Sequence, residues 1–223
     1  MINRIHAQLY RPENGWDPIP RDYAETYAQA EWDQLDHTWI EQVESRVGPL
    51  KGKHVLDLGA GPGSWSYLMA SRGARVIWHD VSANYLTFFR ERLTELDAEH
   101  KLDITFSLGY MEDVVHRGEK YDLILSRLSW SYCQDDFRFA EMIRSLLVEG
   151  GAAYVIANHE GFPNRKTLPV RARVFRWCNE VLGVKIGHPF PSKRHLQRVI
   201  ASQPFSQTEF EFDDECTYAW LFA

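Results

Sequence analysis

Cysteine is scarce in this chain of 223 residues. Cys133, Cys178 and Cys216 are widely spaced and form no CxxC pair. This pattern predicts neither a disulfide framework nor a metal site, and it is typical of reduced thiols in the cytoplasm. Long apolar runs are also missing, and polar residues interrupt the first ten positions. The sequence therefore predicts a cytoplasmic protein with no signal peptide and no membrane partner.

Positively charged residues are also fewer than negatively charged ones. Lys and Arg total 25 against 31 Asp and Glu, which leaves a formal net charge of −6. Because cationic contacts to phosphates supply most non-specific nucleic-acid affinity, this balance argues against a nucleic-acid partner. A hydrophobic content of 44% is enough for one well-buried domain at this length. We expect one compact unit, with an N-terminal arm and lid helix over residues 1–48 and a cofactor-binding domain over 49–223.

Helical and turn patterns predict several individual elements of the chain. Three prolines in the first twenty positions predict an irregular arm. From Asp22, apolar residues recur every three or four positions until Gly48, which predicts a single helix. Glu149–Gly151 reads as the turn before a strand over Ala152–Ala157.

Three glycines at alternate positions follow an apolar run. The sequence His54–Gly63 reads HVLDLGAGPG, and a helical pattern begins at Ser64. Glycine tolerates positive φ and lets a ligand lie against the backbone, and the N-terminus of the next helix adds N–H donors. The pattern predicts a nucleotide-binding turn, with a purely structural strand-to-helix turn as the alternative.

The spacing of the glycines separates two cofactor classes. Dinucleotide binders use GxGxxG, but here Ser64 stands where the third glycine of that pattern belongs. Asp57 precedes the glycines, so the segment resembles the first motif of class I S-adenosylmethionine (SAM) dependent methyltransferases. The resemblance implies SAM as cofactor and an α/β fold: a Rossmann-like, doubly wound, seven-stranded sheet, mostly parallel with a C-terminal antiparallel hairpin, and helices on both faces.

Asp80 ends a second apolar run, about twenty residues after the glycines. An acid at this position can accept both ribose hydroxyls of an adenosine. Its alternative role, capping the next helix, is already available to Ser82. In the loop that resembles the adenine-reading motif, Tyr110 replaces the usual Asp, so Glu112 or the backbone would read the adenine amino group. The resemblance implies these cofactor-binding residues: Asp57, Gly59, Ala60, Gly61, Asp80, Val81, Met111, Glu112 and Ser126.

The acceptor is encoded less clearly. The segment after the fourth predicted strand reads LSWSY, whereas methyltransferases acting on DNA bases carry Asn or Asp, then Pro-Pro and an aromatic residue there. The resemblance therefore implies a small-molecule acceptor. The candidate substrate-binding residues are Tyr23, Tyr27, Trp130, Tyr132 and Asn158. Core or lid packing is the alternative for the aromatic ones.

His159 follows the fifth predicted strand and is the candidate general base, because its pKa lies near neutrality. It could equally be a loop histidine. The basic residues between Asn164 and Arg176 read as a solvated helix face, or as one or two arginines that bind a substrate carboxylate.

The sequence thus predicts a SAM-dependent methyltransferase acting on a small molecule. Two alternatives stay open. An enzyme of the same fold could cyclise SAM itself and release methylthioadenosine, as azetidine-2-carboxylic acid synthases do. A domain of this fold could also bind SAM without catalysis.

Overall fold

The computed structural model describes residues 2–97, 99, 101–159 and 168–223. Its seven strands form one sheet in the order β3-β2-β1-β4-β5-β7-β6. The strands are β1 (His54–Leu58), β2 (Arg75–Asp80), β3 (Ile104–Leu108), β4 (Tyr121–Arg127), β5 (Leu147–Asn158), β6 (Gln207–Phe212) and β7 (Cys216–Phe222). The helices are α1 (Ile2–Leu9), α2 (Arg21–Asp33), α3 (Trp39–Val47), α4 (Ser64–Ser71), α5 (Ala83–Leu96), α6 (Asp136–Leu146), α7 (Val170–Leu182) and α8 (Lys193–Ala201).

Strand directions follow the two kinds of sequence pattern. β1 pairs with β2, and β2 with β3, in parallel. β1 and β2 are nearly continuous apolar runs, as expected for parallel strands covered on both faces. β7 runs antiparallel to both β5 and β6. The predicted seven-stranded, Rossmann-like sheet with a C-terminal antiparallel hairpin is confirmed.

The chain divides into two compact units by its internal contacts. Tyr10–Ile124 forms one unit, and Leu125–Ala223 together with the N-terminal residues through Leu9 forms the other. This division does not follow the predicted boundary at residue 48. The arm from Tyr10 onward, α2 and α3 belong to the same unit as the glycine-rich turn, whereas α1 belongs to the other unit.

Three local expectations differ from the structure. The N-terminal arm contains α1 and a short 3-10 helix at Pro12–Asn14. The single helix expected from Asp22 is interrupted between α2 and α3, because the Asp36 carboxylate accepts hydrogen bonds from the N–H and hydroxyl of Thr38. Such a side-chain-to-backbone bond competes with the helix. Glu149–Gly151 lies inside β5, which already begins at Leu147.

Aromatic packing fastens α2 to the body of its unit. Ala24 of α2 belongs to a buried cluster with Ala60, Trp78, Tyr85 and Phe89. The indole N–H of Trp32 also donates to the Pro62 carbonyl at 3.1 Å. Apolar burial and this bond hold α2 against the glycine-rich turn and α5. In the described part of the chain, no helix combines the length and the apolarity needed to cross a bilayer.

Candidate cofactor and acceptor sites

The glycine-rich turn begins where β1 ends. The N–H groups of Gly59 and Ala60 both donate to the His79 carbonyl, at 2.8 and 3.1 Å. A Cβ on Gly63 would lie 2.2 Å from the Phe89 ring, and the φ of Gly63 is +81°. Packing therefore demands glycine at position 63. A Cβ on Gly61 would meet no atom within 4 Å, so the space beside Gly61 is open to a ligand.

Asp80 lies at the end of β2, directly beside this turn. One of its carboxylate oxygens accepts the Gly61 N–H at 2.9 Å, and the other accepts the Ser82 N–H at 2.8 Å. Burial raises the pKa of Asp80 to about 6, although these hydrogen bonds oppose the shift and the charge of Asp17 adds to it. Because a carboxylate has about four lone-pair sites, each oxygen retains capacity for a further donor.

Asp57 is buried within β1 and faces the next helix. Its carboxylate accepts a hydrogen bond of 2.6 Å from the Ser66 hydroxyl, in the first turn of α4. A carboxylate there also complements the positive end of the α4 dipole. Asp57 thereby fixes the direction in which the backbone leaves the glycine-rich turn.

Two hydrogen bonds of the His79 ring fix the loop after β3. His79 contacts the Ser107 hydroxyl through Nδ1 and the Tyr110 carbonyl through Nε2, at 2.9 and 2.8 Å. Burial lowers the pKa of His79. Met111 is buried and Glu112 is half-buried at the start of the following 3-10 helix. The backbone of this candidate adenine-reading loop is thus well fixed.

The N-terminal arm contacts both the loop after β3 and the start of α5, which the sequence patterns do not predict. The Trp16 ring stacks on the Tyr110 ring with centroids 6.0 Å apart, and the Tyr110 hydroxyl donates to the Tyr10 carbonyl. The Asp17 carboxylate accepts hydrogen bonds from the Ser82 hydroxyl and the Asn84 N–H at the start of α5. Arm residues therefore buttress the loop after β3 and the segment after Asp80.

The two tyrosines of α2 form an aromatic row with α5. Tyr23 stacks on Tyr27 with ring centroids 6.0 Å apart, and Tyr27 lies 6.0 Å from Tyr85. Tyr23 is exposed, whereas Tyr27 packs against the buried cluster of this unit. Tyr23 is accordingly the more accessible of the two candidate substrate residues.

The segment after β4 belongs to the second unit, and its backbone is unusual. Among the described non-glycine residues, Leu128 alone has a left-handed φ, at +56°. Strain of this kind clusters at functional sites. Ser126, which ends the apolar part of β4, is fully buried, with its hydroxyl 2.9 Å from that of Ser129.

The two aromatic candidates in this segment have opposite environments. Trp130 is 0% exposed, and its indole N–H donates to the Asp136 carboxylate at 3.2 Å. Its ring is enclosed by protein, which favours the alternative of core packing, and its role in substrate binding stays a prediction. Tyr132 is 54% exposed, and its ring centroid lies 4.8 Å from that of His188.

Asn158 ends β5, and His159 follows it. The Asn158 side-chain oxygen accepts a hydrogen bond from the Cys216 thiol at 2.9 Å. His159 is only 1% exposed, and its Nδ1 lies 3.2 Å from the Thr217 hydroxyl. Arg176 donates to the His159 carbonyl, so this arginine of the basic segment is engaged by backbone. Arg165 and Lys166 lie outside the described residues.

A buried polar cluster surrounds the Asp136 carboxylate. The Asp136 carboxylate accepts hydrogen bonds from five side chains: Trp130, Cys133, Asn179, Lys185 and His195. The Lys185 ammonium is 2.7 Å from the Asp136 carboxylate and 3.0 Å from the Cys133 sulfur. These donors hold the pKa of Asp136 far below its usual range, against the effect of burial. The cluster fixes the backbone that presents Tyr132.

Comparison with known proteins gives matches to methyltransferases. Residues 55–151 match the family model described as methyltransferase domain. Ubiquinone biosynthesis O-methyltransferase from Brucella ovis is 30% identical over 165 residues, which cover 69% of this chain and 60% of that protein. The enzyme of the same name from Cereibacter sphaeroides is 28% identical over 143 residues, which cover 64% and 53%. The chain thus matches less than two thirds of the length of these relatives.

Solved structures show the same fold. TehB from Haemophilus influenzae aligns with a TM-score of 0.61 at 16% identity, covering 90% of this chain and 67% of that one. A SAM-dependent methyltransferase from Aquifex aeolicus aligns with a TM-score of 0.62 at 13% identity, covering 92% and 98%. The match of residues 55–151 to a methyltransferase domain, together with this fold, supports the class I SAM-dependent methyltransferase assignment that the motifs imply.

The residues of the glycine-rich turn fit SAM, the cofactor of this methyltransferase family. The open space beside Gly61 admits a ligand to the backbone, and the Asp80 carboxylate adjoins that space through its bond to the Gly61 N–H. Ribose hydroxyls are the donors that such a carboxylate accepts.

His188 is a further candidate for the acceptor side, and no sequence pattern indicates it. Partial burial lowers its pKa, and the positive charges of Lys185 and His6 act in the same direction. The imidazole is therefore neutral near pH 7 and lies beside the exposed Tyr132 ring. His188 lies in a Gly-His-Pro sequence that is typical of an ordinary loop. The contact that distinguishes it, with the Tyr132 ring, joins residues that are far apart in the sequence.

Proposed function

We propose that this chain transfers the methyl group of SAM to a hydroxyl group of a small-molecule acceptor. The observation that carries the proposal is the Asp80 carboxylate beside the open space at Gly61, in a chain that matches a methyltransferase domain. The names of the relatives from Brucella ovis and Cereibacter sphaeroides support an oxygen atom as the acceptor. The exposed ring of Tyr132 supports an aromatic acceptor, because it offers a stacking surface.

In this proposal Asp80 would hold the ribose, the backbone of Gly59–Gly61 would bind the cofactor, and Met111 and Glu112 would bind the adenine. Asp57 acts indirectly, by fixing α4 through Ser66. SAM supplies a methyl group already activated by its sulfonium. The protein has to align the acceptor and remove the hydroxyl proton, so positioning carries much of the rate.

The test is to incubate the purified chain with SAM, alone and with a panel of hydroxylated aromatic compounds, and to identify the adenosine product. S-adenosylhomocysteine formed only in the presence of an acceptor is the expected result. Methylthioadenosine released from SAM alone would contradict the proposal and support cyclisation. SAM binding without either product would support the non-catalytic alternative.

Two histidines are candidates for the base that accepts the hydroxyl proton. His159 was proposed from sequence, but its 1% exposure restricts contact with an acceptor. His188 is neutral and lies beside Tyr132, which favours it. We expect His188→Ala to lower kcat about a hundredfold and to remove the acidic limb of the kcat–pH profile.

His159→Ala is the matched comparison. Because the His159 side chain packs inside its unit against Thr217, we expect this variant to lower the melting temperature and to leave kcat within a few-fold of the parent. A loss of kcat confined to His159→Ala would restore His159 as the base and remove His188.

A further inference from the structure

Helix α7 carries exposed apolar side chains on one side and buries a polar residue on the other. Asn179 is its buried residue, and the Asn179 amide donates to the Asp136 carboxylate at 2.6 Å. On the opposite side, Val170, Val174, Trp177 and Val181 follow each other at steps of four, three and four positions. At about 100° per residue these four side chains share an arc of about 60°. We call them the α7 stripe.

The α7 stripe is left uncovered by the described part of the chain. Val170 is 73% exposed, Trp177 53% and Val181 63%, and Leu182 and Val184 extend the apolar surface at the C-terminal end. An amphipathic helix normally turns its apolar side to the core. An outward apolar side of this extent indicates a surface that another body covers.

Positive charge borders the α7 stripe on both sides. Arg171 and Arg173 are exposed, and on a helical projection they lie about 100° to one side and about 60° to the other side of Val170. The chain as a whole has a net charge of −6, so this basic border stands out from the rest of the sequence. We therefore expect the body that covers the α7 stripe to carry negative charge, which attracts the two arginines.

A second copy of the chain fits this surface poorly. α7 has 13 residues, so it is about 20 Å long and about 10 Å wide. Pairing through such a helix covers a few hundred Å² on each chain, compared with about 800 Å² per partner in a stable complex. In such a pair the arginines of both copies would border the same apolar contact, and their positive charges would repel each other.

We propose that α7 docks on an anionic lipid surface. The helix lies in the plane of the headgroups, Trp177 and the three valines of the α7 stripe enter the boundary with the acyl chains, and Arg171 and Arg173 contact lipid phosphates. Tryptophan with aliphatic residues on one side and arginine at the border is the composition of interfacial helices. This docking concerns the surface of a bilayer, and it is independent of the methyl transfer proposed above.

The test is sedimentation of the full chain with vesicles of phosphatidylcholine alone or mixed with phosphatidylglycerol. We expect binding to the mixed vesicles that salt weakens, and little binding to phosphatidylcholine. Val174→Ser combined with Val181→Ser should weaken binding about tenfold. Arg171→Gln and Arg173→Gln should each weaken it about fivefold.

Matched controls are Leu96→Ser, an exposed apolar residue at the end of α5, and Arg138→Gln, an exposed arginine of α6. Both should bind like the parent. No binding to mixed vesicles, equal binding to both vesicle types, or unchanged binding in the valine variant would overturn the proposal. A lipid-free dimer that the same valine variant dissociates would assign the α7 stripe to a second copy and also overturn it.

Discussion

Asp80→Ala is expected to weaken SAM binding about 10- to 150-fold, which corresponds to about 1.5–3 kcal/mol for hydrogen bonds to a charged group. The substitution removes the acceptor that adjoins the open space at Gly61, and it also releases the N–H groups of Gly61 and Ser82. Titration calorimetry with SAM measures the effect, and thermal unfolding of the same variant checks that the fold is retained. Unchanged affinity in a folded variant would remove Asp80 from the cofactor site.

The pH dependence of SAM affinity gives a second readout of the same group. Burial raises the pKa of Asp80 to about 6. Below that pH the carboxyl is protonated, and it loses part of its capacity to accept ribose hydroxyls. Affinity should therefore be highest above pH 6 and fall as the pH falls through that value. Asp80→Asn, which keeps the shape and cannot ionise, should lose this dependence.

Asp136→Ala is expected to lower the free energy of unfolding by about 3–5 kcal/mol, the cost of leaving a buried charge unpaired. The Lys185 ammonium is only 4% exposed and would lose its carboxylate, as would the other four donors. For a chain of this length the melting temperature should fall by about 6–20 °C. Calorimetric or circular-dichroism melting measures the change.

Asp135→Ala is the matched control, because the neighbouring carboxylate caps α6 by accepting the Arg138 N–H. Loss of such a cap costs about 1 kcal/mol. Asp136→Leu combined with Lys185→Met removes both charges and should be less destabilising than Asp136→Ala alone. If Asp136→Ala were no more destabilising than Asp135→Ala, Lys185 would not depend on Asp136.

The stabilising effect of Asp136 also has a pH window. Its pKa is held far below the usual range in the folded state. A carboxyl with a lowered pKa stabilises the fold above its unfolded pKa, and this contribution is lost as the pH falls toward the folded pKa. The difference in stability between the parent and Asp136→Ala should therefore shrink in acid.

The glycine-rich turn and the acid at the end of β2 could be predicted from the sequence because the signals for them are local. The glycines of the turn and the acid at Asp80 are each specified by neighbours within one strand–helix unit. Ser82 was expected to cap α5, and its hydroxyl does accept the Tyr85 N–H. The break between α2 and α3 escaped notice because the apolar pattern continues through it, while one hydrogen-bonding side chain at Asp36 redirects the backbone.

The environments of the candidate acceptor residues were harder to predict from the sequence, because they depend on which side chains the fold buries. Trp130 and Tyr132 are two positions apart in one short segment, and both are aromatic. Tertiary packing encloses Trp130 over Asp136 and leaves Tyr132 at the surface beside His188. No periodicity distinguishes the two residues, since the partners that decide their environments come from α7, α8 and the intervening loop.

The sequence by itself determined the sheet and the cofactor class of this chain, and it predicted a carboxylate at the end of β2, since strand–turn–helix geometry places each of these features through near neighbours. Only the tertiary structure decided that the arm reaches Ser82 through Asp17, that five donors converge on Asp136, and that α7 turns its apolar stripe outward. These features are contacts between residues far apart in the chain, and the direction in which a helix faces depends on what packs against it.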